Sequence, residues 1–251
     1  MKQKIMKRTN VNSKRNYSKF GEHLHYLTPE KLQVLWESVD DFRDKLILKL
    51  IFELGCRVGE FTKIQLKHIN FQDCSIFFPA ENTKTRERRT SFIPRDLMND
   101  LKDHLKRQGL VTKREENAKK PSAYLFPGRY GKSSITTRAL QKMFQKYIEK
   151  AGLDEVYAQD SEGRQLHKYT IHSLRHSHVR YYTTHRKLDL ASVQQQIGHY
   201  KSLQTTQIYT RLTDEDVRKS YEGTRSVFDN IIIGHFRVSD NHSMVDKNKE
   251  R

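Results

Sequence analysis

The sequence predicts an α+β fold that is mostly helical, and three observations carry that prediction. Apolar residues recur at helical spacing in several capped segments, one stretch from His68 to Pro94 switches to short strands separated by turns, and helical patterns resume beyond it. The 251 residues suit one large domain or two small ones, and are enough to bury a substantial hydrophobic core.

Residues 1–27 carry Lys2, Lys4, Lys7, Arg8, Lys14, Arg15 and Lys19 against a single acid, Glu22. Such a run reads as a flexible basic arm, because it has too few large apolar residues to pack. Order is predicted to begin at Thr28-Pro29-Glu30, where Thr caps a helix and Pro takes its first position, and this helix runs to about Val39. A second, from about Asp41 to Leu54, buries Leu46, Ile47, Leu50, Ile51 and Leu54 on one stripe and ends at Gly55. Arg57-Val58-Gly59-Glu60 opens a further helix through Leu66. Strands follow at Ile69–Phe71, Ser75–Pro79 and Arg89–Ile93, the first pair joined by a turn at Gln72-Asp73 and the second by the polar segment 81–88. An amphipathic helix spans Asp96 to about Gln108, and 109–122 is a lysine-rich loop. Thr136 or Thr137 caps a helix to about Ala151, with Leu140, Phe144 and Ile148 inward and Arg138, Lys142 and Lys146 outward. Residues 152–168 read as a loop. Helices are expected from about Thr170 to His185, from Leu190 to Ile197 with Asp189 as cap, from about Leu203, and from Asp214 to about Thr224. The tail holds an apolar patch, Ile231-Ile232-Ile233.

Composition narrows the function classes. Forty-seven Lys and Arg against 30 Asp and Glu leave a net charge of +17, a field that attracts polyanions. Nucleic acid is the leading partner, although ribosomal or membrane-surface binding would give a similar charge. The most apolar stretch, Leu46 to Leu54, is short and interrupted by Lys49 and Glu53, which argues against membrane insertion. No apolar run follows the basic N-terminus as a signal peptide would require. Cys56 and Cys74 form neither a metal spacing nor a disulfide framework, which fits a reducing cytoplasm.

The stretch from His172 to Tyr209 concentrates the chemistry. His172 and Arg175 are three residues apart on one helix face, so an imidazole and a guanidinium can converge on one small anion, of which a phosphodiester is the best fit. Gly198-His199 and then Tyr209 follow, adding a second imidazole and a phenol able to act as a nucleophile. Each of these residues alone has an ordinary structural explanation; the ordered set is harder to account for that way.

His172-Ser-Leu-Arg175-His176, Gly198-His199 and Thr205-Thr206-Gln207-Ile208-Tyr209 resemble the C-terminal motif boxes of the tyrosine recombinases, or phage-type integrases. The resemblance covers roughly residues 28–228 as a catalytic domain, with 229–251 as a tail that could pack on a neighbouring protomer or within its own chain. It implies a small three-stranded antiparallel sheet packed by helices. It also implies catalytic roles for Arg57, Lys84, His172, Arg175, His199 and Tyr209, with Glu60 and His176 in support. Lys84 is the lysine of the second strand connection, and Arg86, Arg88, Arg138 and Lys142 are candidate DNA contacts. Many members carry an N-terminal helical domain that clamps the far face of DNA; here only the basic arm precedes the catalytic region, and the initial Met favours a minimal member over a truncated one.

By the same resemblance Tyr209 attacks a scissile phosphate to give a 3′-phosphotyrosine, with neither metal nor ATP as cofactor. The sequence holds no P-loop and no tidy carboxylate cluster for a magnesium pair. The expected partners are double-stranded DNA and further copies of the chain, four in synapsis. A type IB topoisomerase-like nicking and resealing enzyme, or a non-catalytic DNA-binding protein of the same fold, are the alternatives.

Overall fold

The helix Phe42–Leu54 (α2) is the axis on which the rest is assembled, and its sequence explains why. Leu46, Ile47, Leu50, Ile51 and Leu54 are buried as predicted, but so are Leu48 and Phe52, so the helix is apolar almost all round and packs on several sides. In the computed structural model the described residues are 25–111, 120–128, 133–159 and 162–198. All lie within one compact unit, residues 1–210. Residues 1–24 of the basic arm, His199, Tyr209, the helices expected beyond Ile197 and the Ile231–Ile233 patch fall outside the described residues; the end of the arm does not, and Leu27 is buried with its amide donating to the Ser177 hydroxyl at 2.7 Å, so order begins before Thr28.

The predicted caps are formed. Thr28 accepts from the Lys31 amide at the start of α1, Pro29–Ser38. Asp41 accepts from the Asp44 amide at 2.8 Å to open α2, and Gly55 closes that helix in the left-handed region at φ +52°. Thr136, not Thr137, caps α5, Thr137–Lys150, by accepting from Ala139. Asp189 caps α7, Leu190–Ile197, at 2.8 Å from the Ser192 amide.

The helix expected from Arg57 through Leu66 is much shorter. It ends at Phe61, giving α3 as Val58–Phe61. The next residues are drawn away by pairing with a distant segment: Leu66 donates to the Ala123 carbonyl at 2.9 Å and Leu125 to the Ile64 carbonyl at 2.8 Å. Burial of Leu125 and Phe126 accompanies that pairing. The sheet is β1 (Ile69–Asn70), β2 (Ser75–Phe78) and β3 (Arg89–Phe92), antiparallel in the order β1-β2-β3, with Ile76 opposite Ile69 on one side and Ser91 on the other. The α4 helix, Arg95–Arg107, follows directly.

Residues 152–168 do not form a plain loop. Val156–Gln159 (β4) and Gln165–His167 (β5) pair as an antiparallel hairpin with an irregularity after Val156. Its residues are largely exposed, so no buried alternation marks the strands in the sequence. The α6 helix is Ile171–Arg180, and the expected continuation to His185 is a π-turn over Tyr181–His185. Thr183 turns its hydroxyl back onto the Val179 carbonyl at 2.7 Å, and the Arg186 amide reaches the Tyr181 carbonyl. The turn sets Tyr182 to donate its hydroxyl to Glu53 on α2. Among the described residues no helix is long and apolar enough to cross a membrane.

Candidate active site

Gly55 and its neighbours build the site's first corner. The left-handed turn at Gly55 ends α2 and hands the chain to Arg57, the N-cap of α3. Glu60, one turn into α3 and 3% exposed, then reaches back. It accepts from the Arg57 backbone N–H at 3.3 Å and from Arg57 Nη1 at 2.9 Å. The Arg57 side chain stays about a quarter exposed, held in place but accessible.

A turn has no room for a side chain here. A Cβ on Gly55 would lie 2.7 Å from Ile197 and 2.8 Å from the His178 ring. That close approach brings the Gly55 carbonyl to Arg175, whose Nη1 donates both to it and to the Ile197 carbonyl, the latter at 3.1 Å. Arg175 is 5% exposed. It is therefore held beneath the surface, pinned between the ends of α2 and α7.

His172 sits one turn before Arg175 on α6. Although its ring reaches solvent, desolvation, followed by the charges of Arg175 and Arg57, holds its pKa below the ordinary value. It is a neutral imidazole at neutral pH, able to accept a proton. His176 is lowered to about 4 by burial and then by Arg175. Arg57, Glu60, His172, Arg175 and His176 are thus brought together. Lys84 stands exposed in the β2–β3 connection. The base of that connection is fastened by Thr83, whose hydroxyl donates to Ala80 and accepts from the Glu87 amide. Arg86, Arg88, Arg138 and Lys142 are exposed, which is where phosphate contacts would have to be. Among the described residues no group of three or more His, Cys, Asp or Glu could hold a metal ion.

Sequence reasoning missed Arg89, Thr83 and the two carbonyls that hold Arg175. Arg89 was read only as a strand residue. Yet β3 alternates buried and exposed from Arg89 through Phe92, so a strict period-two reading back from buried Ser91 would have flagged an arginine facing the core.

His178, buried behind Arg175, gives a test of this corner. Burial first, then Arg175, lowers its pKa to about 3, against 6.5 for a solvated histidine. The unfolded chain therefore binds a proton that the fold refuses. The contribution of this residue is fully present above about pH 6.5 and falls as pH drops toward the folded value, by up to ~1.4 kcal/mol per unit. Urea midpoints should decline from about pH 7 to about pH 5, with a shallower slope for His178→Gln; identical slopes would discharge His178 from this role.

A three-stranded antiparallel sheet packed against α2 and α7, with α6 on α2 and two arginines and a histidine collected where these helices meet, is the catalytic-domain fold of the tyrosine recombinases. The phage integrase family matches residues 25–216, and the chain belongs to it. Tyrosine recombinase XerA of Pyrococcus furiosus is 31% identical over 215 residues, covering 83% of this chain and 64% of that protein. Tyrosine recombinase XerC of Anoxybacillus flavithermus is 28% identical, covering 78% and 61%. The chain thus spans roughly three-fifths of the length of these relatives. In fold it is similar to the crystal structure of XerA recombinase, with a TM-score of 0.60 at 24% identity over 80% of this chain and 64% of that one. It is also similar to XerH site-specific recombinase, with a TM-score of 0.58 at 23% identity over 80% and 53%.

Proposed function

We propose that this protein is a site-specific DNA recombinase that cuts and rejoins DNA through a 3′-phosphotyrosine. The observation that carries the reading is the convergence of Arg57, Glu60, His172 and Arg175, drawn from two chain segments more than a hundred residues apart, in a chain of this family. Support for DNA as the substrate comes from the net charge of +17 and from relatives in fold: XerH is bound to a palindromic difH substrate in a post-cleavage complex, and the Tn1549 transposon integrase is in complex with a circular intermediate DNA.

The chemistry follows from the residues. The Tyr209 oxygen attacks phosphorus as its proton passes to neutral His172, and the bond to the 5′-oxygen breaks as Lys84 protonates that oxygen. Negative charge spreading over the non-bridging oxygens meets Arg57 at the surface, Arg175 from below, and His199. Reversal by another 5′-hydroxyl rejoins the strand, so the bond energy is conserved in the protein link and no ATP or metal ion is called for. Arg86, Arg88, Arg138 and Lys142 hold the flanking phosphates, and exchange between two duplexes assembles four protomers.

The test is a supercoiled plasmid carrying candidate sites, incubated without ATP or metal and stopped with detergent. Protein covalently linked to DNA is expected, with intermolecular products separating exchange from nicking and resealing. Absence of any adduct, also on nicked suicide substrates bearing a site the protein binds, would overturn the reading. Within it, Lys84→Ala should slow cleavage of ordinary DNA by about 10²- to 10⁴-fold. A 5′-thiol leaving group, which departs without an acid, should restore most of the rate. Equal losses on the two substrates would remove Lys84 from the acid role.

A further inference from the structure

Arg89 is 4% exposed at the start of β3, and three contacts hold it there. Its Nη2 donates to Glu60 Oε2 at 2.7 Å, the same carboxylate that holds Arg57. Its guanidinium carbon lies 4.1 Å from the centre of the Phe78 ring. On the remaining side it fills the space against Gly198, where an added Cβ would lie 2.9 Å from both Arg89 Cδ and Nη1. Gly198 is left-handed, at φ +73°, and closes α7 immediately before His199.

The same end of α7 is fastened to β3 by a side chain that imitates a strand. Gln196 accepts from the Phe92 amide at 2.9 Å and donates to the Phe92 carbonyl at 2.7 Å, while Ser91 donates to the Gln196 carbonyl at 2.7 Å. Ile197, between Gln196 and Gly198, offers its carbonyl to Arg175.

We propose that Arg89 is a positioning residue for the site: through Glu60 it fixes Arg57, and through its contact with Gly198 it fixes the end of α7, where the Ile197 carbonyl holds Arg175. One buried guanidinium thereby sets two parts of the constellation relative to each other. A neutral side chain could fill the space against Gly198, but it would leave one oxygen of the buried Glu60 carboxylate without its cation. The inference rests on the recombinase reading for its catalytic consequence, though its mechanical half does not.

The test uses the full chain with Arg89→Met and Arg89→Lys. Adduct formation in single turnover at saturating DNA should slow by ~10- to 100-fold for Arg89→Met, the scale expected when reacting groups are misplaced by about an ångström. DNA affinity should not change, since a buried arginine touches no phosphate. Arg89→Lys keeps the ion pair but not the flat contact, and should slow by about three- to fivefold. In parallel, amide hydrogen exchange over 193–198 should quicken in both variants, with α4 and α5 as unchanged controls. A wild-type adduct rate for Arg89→Met, or a loss that only tracks the fraction of folded protein, overturns the proposal. Should Arg89→Met not fold, wild-type rate and exchange in Arg89→Lys overturn it. If wild-type protein forms no adduct, the recombinase reading fails separately. The exchange measurement then decides alone: quickened exchange over 193–198 supports the coupling, and unchanged exchange ends it.

Discussion

Tyr209→Phe is expected to abolish the covalent protein–DNA adduct while leaving DNA affinity intact. The substitution removes one oxygen and keeps the ring, so on the proposed recombinase reading it takes away the nucleophile and little else. Affinity rests mostly on Lys and Arg contacts with phosphates, which this change does not touch. Detergent-resistant adduct and fluorescence anisotropy on the same DNA read the two properties independently. A surviving adduct would move the nucleophile to another phenol, and the structure ranks the described ones. Tyr182 is a poor substitute: its hydroxyl is already donated to Glu53, and burial followed by that carboxylate's charge raises its pKa. Tyr181 packs edge-on against Phe52, in the same aromatic cluster. Residual activity would therefore direct attention to Tyr200 or Tyr221. Loss of both adduct and binding would instead mean that the substitution had disturbed the fold.

The parts of this fold legible in the sequence are those decided locally. Thr28, Asp41 and Asp189 cap helices because a short polar side chain meets amides two or three residues on, and Gly55 ends one because it enters the left-handed region without strain. The spacing of His172 with Arg175 is equally local and sets the two on one face of α6, whereas Arg57 and Glu60 are linked by the family resemblance and not by spacing. What escaped was decided at long range. The end of α3 depends on backbone pairing with residues 123–125, about sixty positions away, and no periodicity in 57–66 encodes it. Arg175 is held by the carbonyls of Gly55 and Ile197, groups every residue carries, so sequence identity gives no sign of them. Arg89 escaped for a related reason: its carboxylate partner is 29 residues away in another element.

Glu60→Ala should destabilise the protein by about 3–5 kcal/mol, because it leaves a guanidinium buried without its counter-charge. Arg89, whose side chain is 1% exposed, cannot recover water in place of the lost carboxylate. Against a typical total of about 5–15 kcal/mol for a domain this is a large fraction, readable as a melting temperature lower by about 10 °C. The pH dependence has a definite sign. Burial works to raise the Glu60 pKa, but Arg89 and then Arg57 outweigh it and the value is lowered. Its contribution is therefore present above the ordinary carboxylate range and is lost as pH falls through the folded value. Replacing both partners, Glu60→Met with Arg89→Met, should restore most of the stability, since an apolar pair of similar volume removes the desolvation cost along with the attraction. The adduct rate should stay low, because Arg57 would have lost the carboxylate that aims it. Recovered stability with a low rate assigns the buried ion pair to the geometry of Arg57. A double variant as unstable as Glu60→Ala would assign it to packing instead, and a double variant with wild-type rate would free Arg57 from any dependence on Glu60.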